Sequence, residues 1–299
     1  MAENVLNFLV ATRFVPIFSF MFGMSMGFVI DSAIRRGAPA WKILLRRLAA
    51  LLVIGLLHSI LYPGEILRDY AVVGAILLPF VLKVPRSVRL VLGLLATVGA
   101  YAFTGGGELS LPGLFLLGSA AQAYGLPARL EHADRRIGAA TLVFAAASAA
   151  AIPWQAAEGG DPRFFTAGGV AGGLMACLYV CLLALLWRTP VRRALSAVFE
   201  PLGRMALTCY VTASFVMVPA GVLLDSRSTQ DVIPGLIVAA AVLPLQWVFC
   251  RLWLSRFAYG PLEWVWRCIT WWRWIPLQRP QSKRLDPVSS APTTTDGIA

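Results

Sequence analysis

The chain has 299 residues, with 26 Lys and Arg against 15 Asp and Glu, a net charge of +11, 58% hydrophobic residues and only 14% charged ones. Soluble domains carry roughly 25% charged residues, so most soluble folds are excluded. A basic excess often points to nucleic acid, but here it accompanies apolar blocks of about 17 to 22 residues, the length that crosses a hydrocarbon layer. The expected fold is all-α, a polytopic transmembrane helical bundle whose partner is the lipid bilayer, in the cytoplasmic cell membrane.

In chain order, residues 1–13 read as a short outer segment. Met1 to Val10 carries Glu3 where a signal peptide would have a basic start, and no small-residue cleavage site follows. Residues 14–256 form the transmembrane helical domain, with about nine spans bounded by Pro, Gly and charge. These are Phe14 to Ile30, Leu48 to Leu61, Tyr70 to Leu82, Leu90 to Phe103, Leu111 to Tyr124, Ile137 to Ala151, Thr166 to Trp187, Met205 to Leu224 and Val232 to Leu254. The fifth is interrupted by Pro112 and Gly118. Residues 257–280 are rich in Trp and Arg, including Trp264, Trp266, Trp271, Trp272 and Trp274, and suit a helix lying in the headgroup layer. Residues 281–299 are dominated by Ser, Pro and Thr, and such a tail is expected to be disordered.

Charge orients the spans, because basic loops resist translocation. Alternate connections hold Arg35, Arg36, Lys42, Arg46 and Arg47; Lys83, Arg86 and Arg89; Arg129, Arg135 and Arg136; then Arg188, Arg192, Arg193 and Arg204. The opposite side carries only Arg13, Arg68, Arg163 and Arg227. The expected topology has the N-terminus outside and the C-terminus in the cytoplasm.

Gly23 with Gly27, and Gly168, Gly169, Gly172 and Gly173, form small-residue spacings that let helix backbones approach. The five cysteines lie in or beside apolar runs and form neither a disulfide framework nor metal-ligand spacing. They read as small membrane-buried residues.

Walker, dinucleotide-binding, serine-hydrolase and zincin motifs are absent, which leaves the polar residues in or beside the membrane, expensive there and so candidates by default. The sharpest cluster is His58, Tyr62, Glu65, Arg68, Asp69 and Tyr70. Arg47, Leu51, Gly55, His58 and Tyr62 recur at about one helical turn and share a face. Glu65, after the break at Pro63 and Gly64, would meet the positive end of the following helix. Glu65 or Asp69 behind His58 would make a minimal general-base pair; alternatively His58 caps the hairpin through a carbonyl. Around the start of span 8, Arg204, Thr208 and Tyr210 could grip a phosphate or carboxylate, or Arg204 is a cytoplasmic anchor. Glu263 and Arg267 are spaced for an i to i+4 ion pair. His132 lies among charges and reads as solvated.

These clusters coincide with a family resemblance. The residues that carry it are Phe18-Ser19-Phe20-Met21-Phe22-Gly23 with Arg46-Arg47-Leu48; Ile54-Gly55-Leu56-Leu57-His58 with Gly64-Glu65-Ile66-Leu67 and Tyr70-Ala71; and Gly203-Arg204-Met205-Ala206-Leu207-Thr208-Cys209-Tyr210 with Gly260-Pro261-Leu262-Glu263-Trp264-Val265-Trp266-Arg267. From about Phe14 to Thr270 the chain resembles the family called domain of unknown function 418 (DUF418), the YeiB-like bacterial membrane proteins. Family members usually open with a further helix bearing an Asp-x-x-Arg-Gly-type motif, not found here from Met1 onward. The family's usual Gly-Asp-Ile-Leu reads Gly64-Glu65-Ile66-Leu67, and Cys209 stands where Asn is common.

The family is similar, distantly, to transmembrane acyltransferases. That resemblance implies acyl transfer from a cytoplasmic acyl-CoA to a hydroxyl or amine at the outer face, on a small-molecule or lipid-linked acceptor. It implies His58, Glu65 and Asp69 as the catalytic group and Tyr62, Tyr70, Arg204, Thr208, Tyr210, Glu263 and Arg267 as substrate-binding residues. A transporter would use His58, Glu65 and Asp69 as a relay, although the internal symmetry of inverted repeats is not visible. A non-catalytic membrane scaffold is a third reading.

Overall fold

A computed structural model describes residues 2–132, 135–223 and 232–278. Its helices are α1 (Ala2–Leu9), α2 (Phe14–Arg35), α3 (Ala40–Ser59), α4 (Leu67–Lys83), α5 (Arg86–Thr104), α6 (Leu111–Ala123), α7 (Leu126–His132), α8 (Arg135–Glu158), α9 (Thr166–Leu186), α10 (Arg192–Arg204), α11 (Ala206–Leu223), α12 (Ile233–Arg256) and α13 (Pro261–Trp271). The tail expected to be disordered lies outside the described residues.

Each expected span falls on a helix, but the helices are not equivalent. Six are long and apolar enough to cross a membrane, seven if one bent pair counts as a single span. These are the stretch Asn4–Arg35, then α5, α8, α9, α11 and α12. Of the nine expected spans, those at α3, α4 and α6 do not meet this length and composition by themselves. Lys42, Arg46 and Arg47 occupy the first half of α3. Seventeen-residue α4 reaches about 25 Å at 1.5 Å per residue, and thirteen-residue α6 about 20 Å, both short of the roughly 30 Å core. The segment Gly107–Ala123 then bends by 71° into α7.

Helix α6 is largely buried, and α3 and α4 each turn one face onto the same core. The main core joins Met26 of α2, Leu44 and Leu51 of α3, Tyr70, Ala71 and Leu77 of α4, and Leu111, Phe115 and Leu116 of α6. Phe22 stacks on Phe115 at 4.9 Å between ring centroids. Helix α6 sits backbone to backbone against α2. A Cβ on Gly23 would strike the Phe115 carbonyl, and one on Gly118 the Phe20 carbonyl. Any larger residue at either position would force the helices apart.

The C-terminal helices are dressed differently. Among the described residues α10 buries none, α11 only Thr208, and α12 only Cys250 and Leu254. Helix α10, expected to be part of a basic connection, is a helix in its own right, with Phe199 61% exposed beside its arginines. Cys209 and Cys250 are free thiols with sulfurs 3.3 Å apart across α11 and α12. Cys177 is exposed, unlike buried Cys181 and Cys250.

The Trp-rich segment folds back onto the bundle. Trp266 donates its indole N–H to the Arg47 carbonyl at 2.8 Å, while the Arg47 guanidinium lies 3.7 Å from the Trp266 ring centroid. Arg36 and Arg46 stack on Trp271 and Trp272. Cation–π contacts of this kind strengthen when desolvated, and together they clamp α13 to the start of α3.

Candidate functional site

The hairpin between α3 and α4 builds the site. Its close approach depends on Gly55, where a Cβ would meet the Arg68 nitrogen at 2.6 Å. Helix α3 ends just past His58, whose carbonyl accepts the Leu61 and Tyr62 N–H groups at 3.0 and 2.9 Å. Backbone therefore closes the hairpin, and the imidazole is free to turn inward. Leu48, Leu51, Gly55 and His58 are buried on the same side of α3.

His58 and Glu65 are 4% and 3% exposed. His58 Nδ1 pairs with Glu65 Oε2, and Glu65 Oε1 accepts the Leu67 N–H at the start of α4, 2.5 Å away. Tyr210, from α11, donates its hydroxyl to Glu65 Oε2 at 3.4 Å and sets its ring edge-on to His58 at 5.1 Å. The carboxylate thus joins the imidazole, a helix N-terminus and a phenol from the distant half of the chain. A carboxylate on Nδ1 selects the tautomer with its proton there and leaves Nε2 as an acceptor. That Nε2 is buried and has no hydrogen-bond partner among the described residues. A buried acceptor of this kind is costly unless something uses it.

Tyr62 lies at 6.3 Å from the His58 ring and is 42% exposed, so it stands at the mouth. Arg163, in the loop before α9, is anchored to Asp161 at 2.5 Å.

The other candidates disperse. Asp69 pairs with Arg68 at 3.1 Å and not with His58. Tyr70 is buried in the core, sharing a 2.9 Å hydrogen bond with Ser19 and packing its ring edge-on against Phe115. The i to i+4 pair of Glu263 and Arg267 is absent from the ion pairs of the described residues. Glu263 instead accepts the Thr208 N–H at 2.9 Å and hydroxyl at 2.6 Å, while Arg267 stacks over Tyr259. A buried threonine offering two donors outcompetes a solvated guanidinium. Arg204 and Thr208 do not converge, because α10 ends between them. Arg204 donates to the Ala258 carbonyl and, with Arg192, Arg193 and Arg251, lines an open cleft of about 760 Å³. His132 is exposed at the end of α7, its Nδ1 2.7 Å from the Ala128 carbonyl oxygen.

Two buried arginines escaped the sequence reading. Arg13 is fully buried and donates to Gln155 Oε1 at 2.7 Å, to the Ala11 carbonyl at 2.6 Å and to the Thr12 hydroxyl at 2.9 Å. Its signal was a charge inside an otherwise apolar thirty-residue stretch. Arg89 is buried as well, and its signal was position, since basic residues in the first turns of a helix oppose the macrodipole.

A sequence model of the family described as "Protein of unknown function (DUF418)" matches residues 125–273. The chain is 30% identical over 294 residues to the "Uncharacterized 39.9 kDa protein in amylase 3'region" of Bacillus acidopullulyticus, covering 92% of this chain and 84% of that protein. It is 28% identical over 339 residues to the "Uncharacterized protein YxaH" of Bacillus subtilis (strain 168), covering 93% and 84%. No solved structure matches. By this kinship the chain belongs to the DUF418 family, and its apolar helices make it an integral membrane protein of that family.

Proposed function

We propose that the chain crosses the membrane nine times, N-terminus outside and C-terminus in the cytoplasm, and transfers an acyl group from a cytoplasmic acyl-CoA to a hydroxyl or amine at the outer face. The observation that carries this reading is the buried His58–Glu65 pair with His58 Nε2 left over as an acceptor. Two further features support the topology. Basic residues alternate between connections, and the shortest of these helices, α6, is largely buried against its neighbours, so it need not match the bilayer by itself.

In the proposed reaction His58 Nε2 takes the proton from the acceptor O–H or N–H as its oxygen or nitrogen attacks the thioester carbonyl carbon. The C–S bond breaks, and the departing coenzyme A thiolate receives the proton from the imidazolium. Glu65 orients the ring and stabilises its charged form. Tyr62 and Tyr210 flank the acceptor, and Asp69, held by Arg68, is left at the rim.

Acyl transfer in membrane vesicles supplied with radiolabelled acetyl-CoA tests the assignment. His58→Gln and Glu65→Gln should each lower transfer by about 100-fold or more, and undiminished transfer would overturn the base assignment. Cysteine placed at Asp69 should label from outside and cysteine at Arg193 from the cytoplasm; the reverse pattern overturns the topology.

A further inference from the structure

At the end of the bundle opposite His58, where α2, α4 and α6 finish and α5 begins, lies a cavity of about 510 Å³. Arg89 lines it and is only 9% exposed. Its Nε is buried without a hydrogen-bond partner, and the guanidinium forms no ion pair among the described residues. Burying a cation without compensation is strongly unfavourable. Arg13 shows how this protein normally meets that cost, with an amide, a hydroxyl and a carbonyl around one guanidinium. Among the described residues Arg89 has no such set.

The surroundings of Arg89 are those of an anion site. Arg86, one turn away, stands at the cavity mouth, stacked over Tyr124 at 4.7 Å and donating to the Ala123 carbonyl at 3.3 Å. Helix α5 begins here without a side-chain cap, so its first N–H groups add positive potential to the same space. One carboxylate, Asp31, also lines the cavity; it accepts the Gln122 amide at 2.7 Å and forms an ion pair with neither arginine. Gln122 also lines the cavity, and Ile30, Val81 and Leu82 give it an apolar side.

We infer that this cavity binds a phosphate ester, its phosphate held by Arg89 and Arg86 against the start of α5 and its ester portion against Ile30, Val81 and Leu82. Two guanidinium forks and a helix N-terminus match the several oxygens of a tetrahedral anion. The ester belongs either to a phospholipid headgroup or to a soluble phosphorylated molecule, and the site does not depend on the acyl-transfer reading.

Thermal unfolding of the purified full chain in phosphate-free detergent, with coenzyme A or dioctanoyl phosphatidylglycerol as probes, tests it. At least one probe should raise the wild-type midpoint, coenzyme A alone identifying a soluble ligand and the lipid alone a headgroup. Arg89→Gln should lose that rise and weaken binding at least ten-fold, yet melt no lower than wild type without ligand, because the uncompensated cation is gone. Arg89→Lys should recover part of the binding. Arg86→Gln should weaken binding with the ligand-free midpoint unchanged. The inference is overturned if neither probe shifts the wild type, if Arg89→Gln responds as the wild type does, or if its ligand-free midpoint falls well below wild type, which would make Arg89 structural. None of these outcomes bears on the His58 test.

Discussion

Helices α2 to α6 and helices α10 to α12 belong to one bundle yet are held by different forces. In the first group glycine contacts bring backbones together around an apolar core. In the second, little is buried, and attachment runs through a few polar links: Tyr210 to Glu65, Thr208 to Glu263, and, through the adjoining α13, Trp266 to Arg47. The DUF418 match at residues 125–273 covers the sparsely buried group, while His58 and Glu65 come from the densely buried one. The candidate site lies at the seam, and Tyr210 is the residue that reaches across. A seam of polar contacts between two groups of helices is a place where small rearrangements are cheap, since little apolar packing has to be broken.

The contrast can be broken most severely at the seam itself. Glu65→Ala leaves a buried imidazole and a buried phenol without their common acceptor, and should cost about 3–5 kcal/mol, the range for breaking a buried pair. Thermal unfolding in detergent checks it, and a loss no larger than a surface substitution's would mean that Glu65 does not join the two groups. Next comes a matched glycine pair. Gly118→Ala forces α6 against the Phe20 carbonyl and should destabilise by about 1–3 kcal/mol, whereas Gly221→Ala in α11 adds a methyl to open space and should be neutral or stabilising by about 0.4–1 kcal/mol. Equal losses at the two positions would erase the distinction between the groups. Trp266→Phe keeps a ring over Arg47 but deletes the indole donor, and should cost about 0.5–1.5 kcal/mol. Limited proteolysis should then show the α13 segment cut sooner.

The smallest effect belongs to the loop before α9. The hydrogen bond from Arg163 holds the Asp161 carboxyl below its ordinary value. A carboxyl lowered in the folded state contributes stability above its unfolded pKa and loses it as pH falls through the folded one. Asp161→Asn should therefore cost only about 0.2–1 kcal/mol at neutral pH for so exposed a pair, and nothing at a pH below that folded value. A cost that persists there would mean the loop is held by something other than this ion pair.

Much of the fold was legible because it depends on local pattern. Apolar runs bounded by Pro, Gly and charge located each helix from α2 onward except short α7, amphipathic α10 and the precise bounds of α13. The approach of His58 to the α4 start was legible too, since a turn of spacing on α3 and a break at Pro63 and Gly64 leave few other paths. The choice between Glu65 and Asp69 was not, because both lie within reach of the hairpin, and only the structure pairs Glu65 with His58 and Asp69 with Arg68. Glu263 and Arg267 had the right spacing for a pair and lost it to Thr208, fifty-five residues away in sequence.

By itself, then, the sequence determined an all-helical, membrane-embedded chain with its basic charge on alternate connections, because composition and periodicity act over a few turns of helix. Only the tertiary structure decided which polar groups meet. It brought Tyr210 to Glu65, drew Tyr70 into the core and buried Arg89 with no ion-pair partner among the described residues, because those outcomes depend on how closely whole helices pack. That closeness is set at the glycine contacts, where a single methyl would change it.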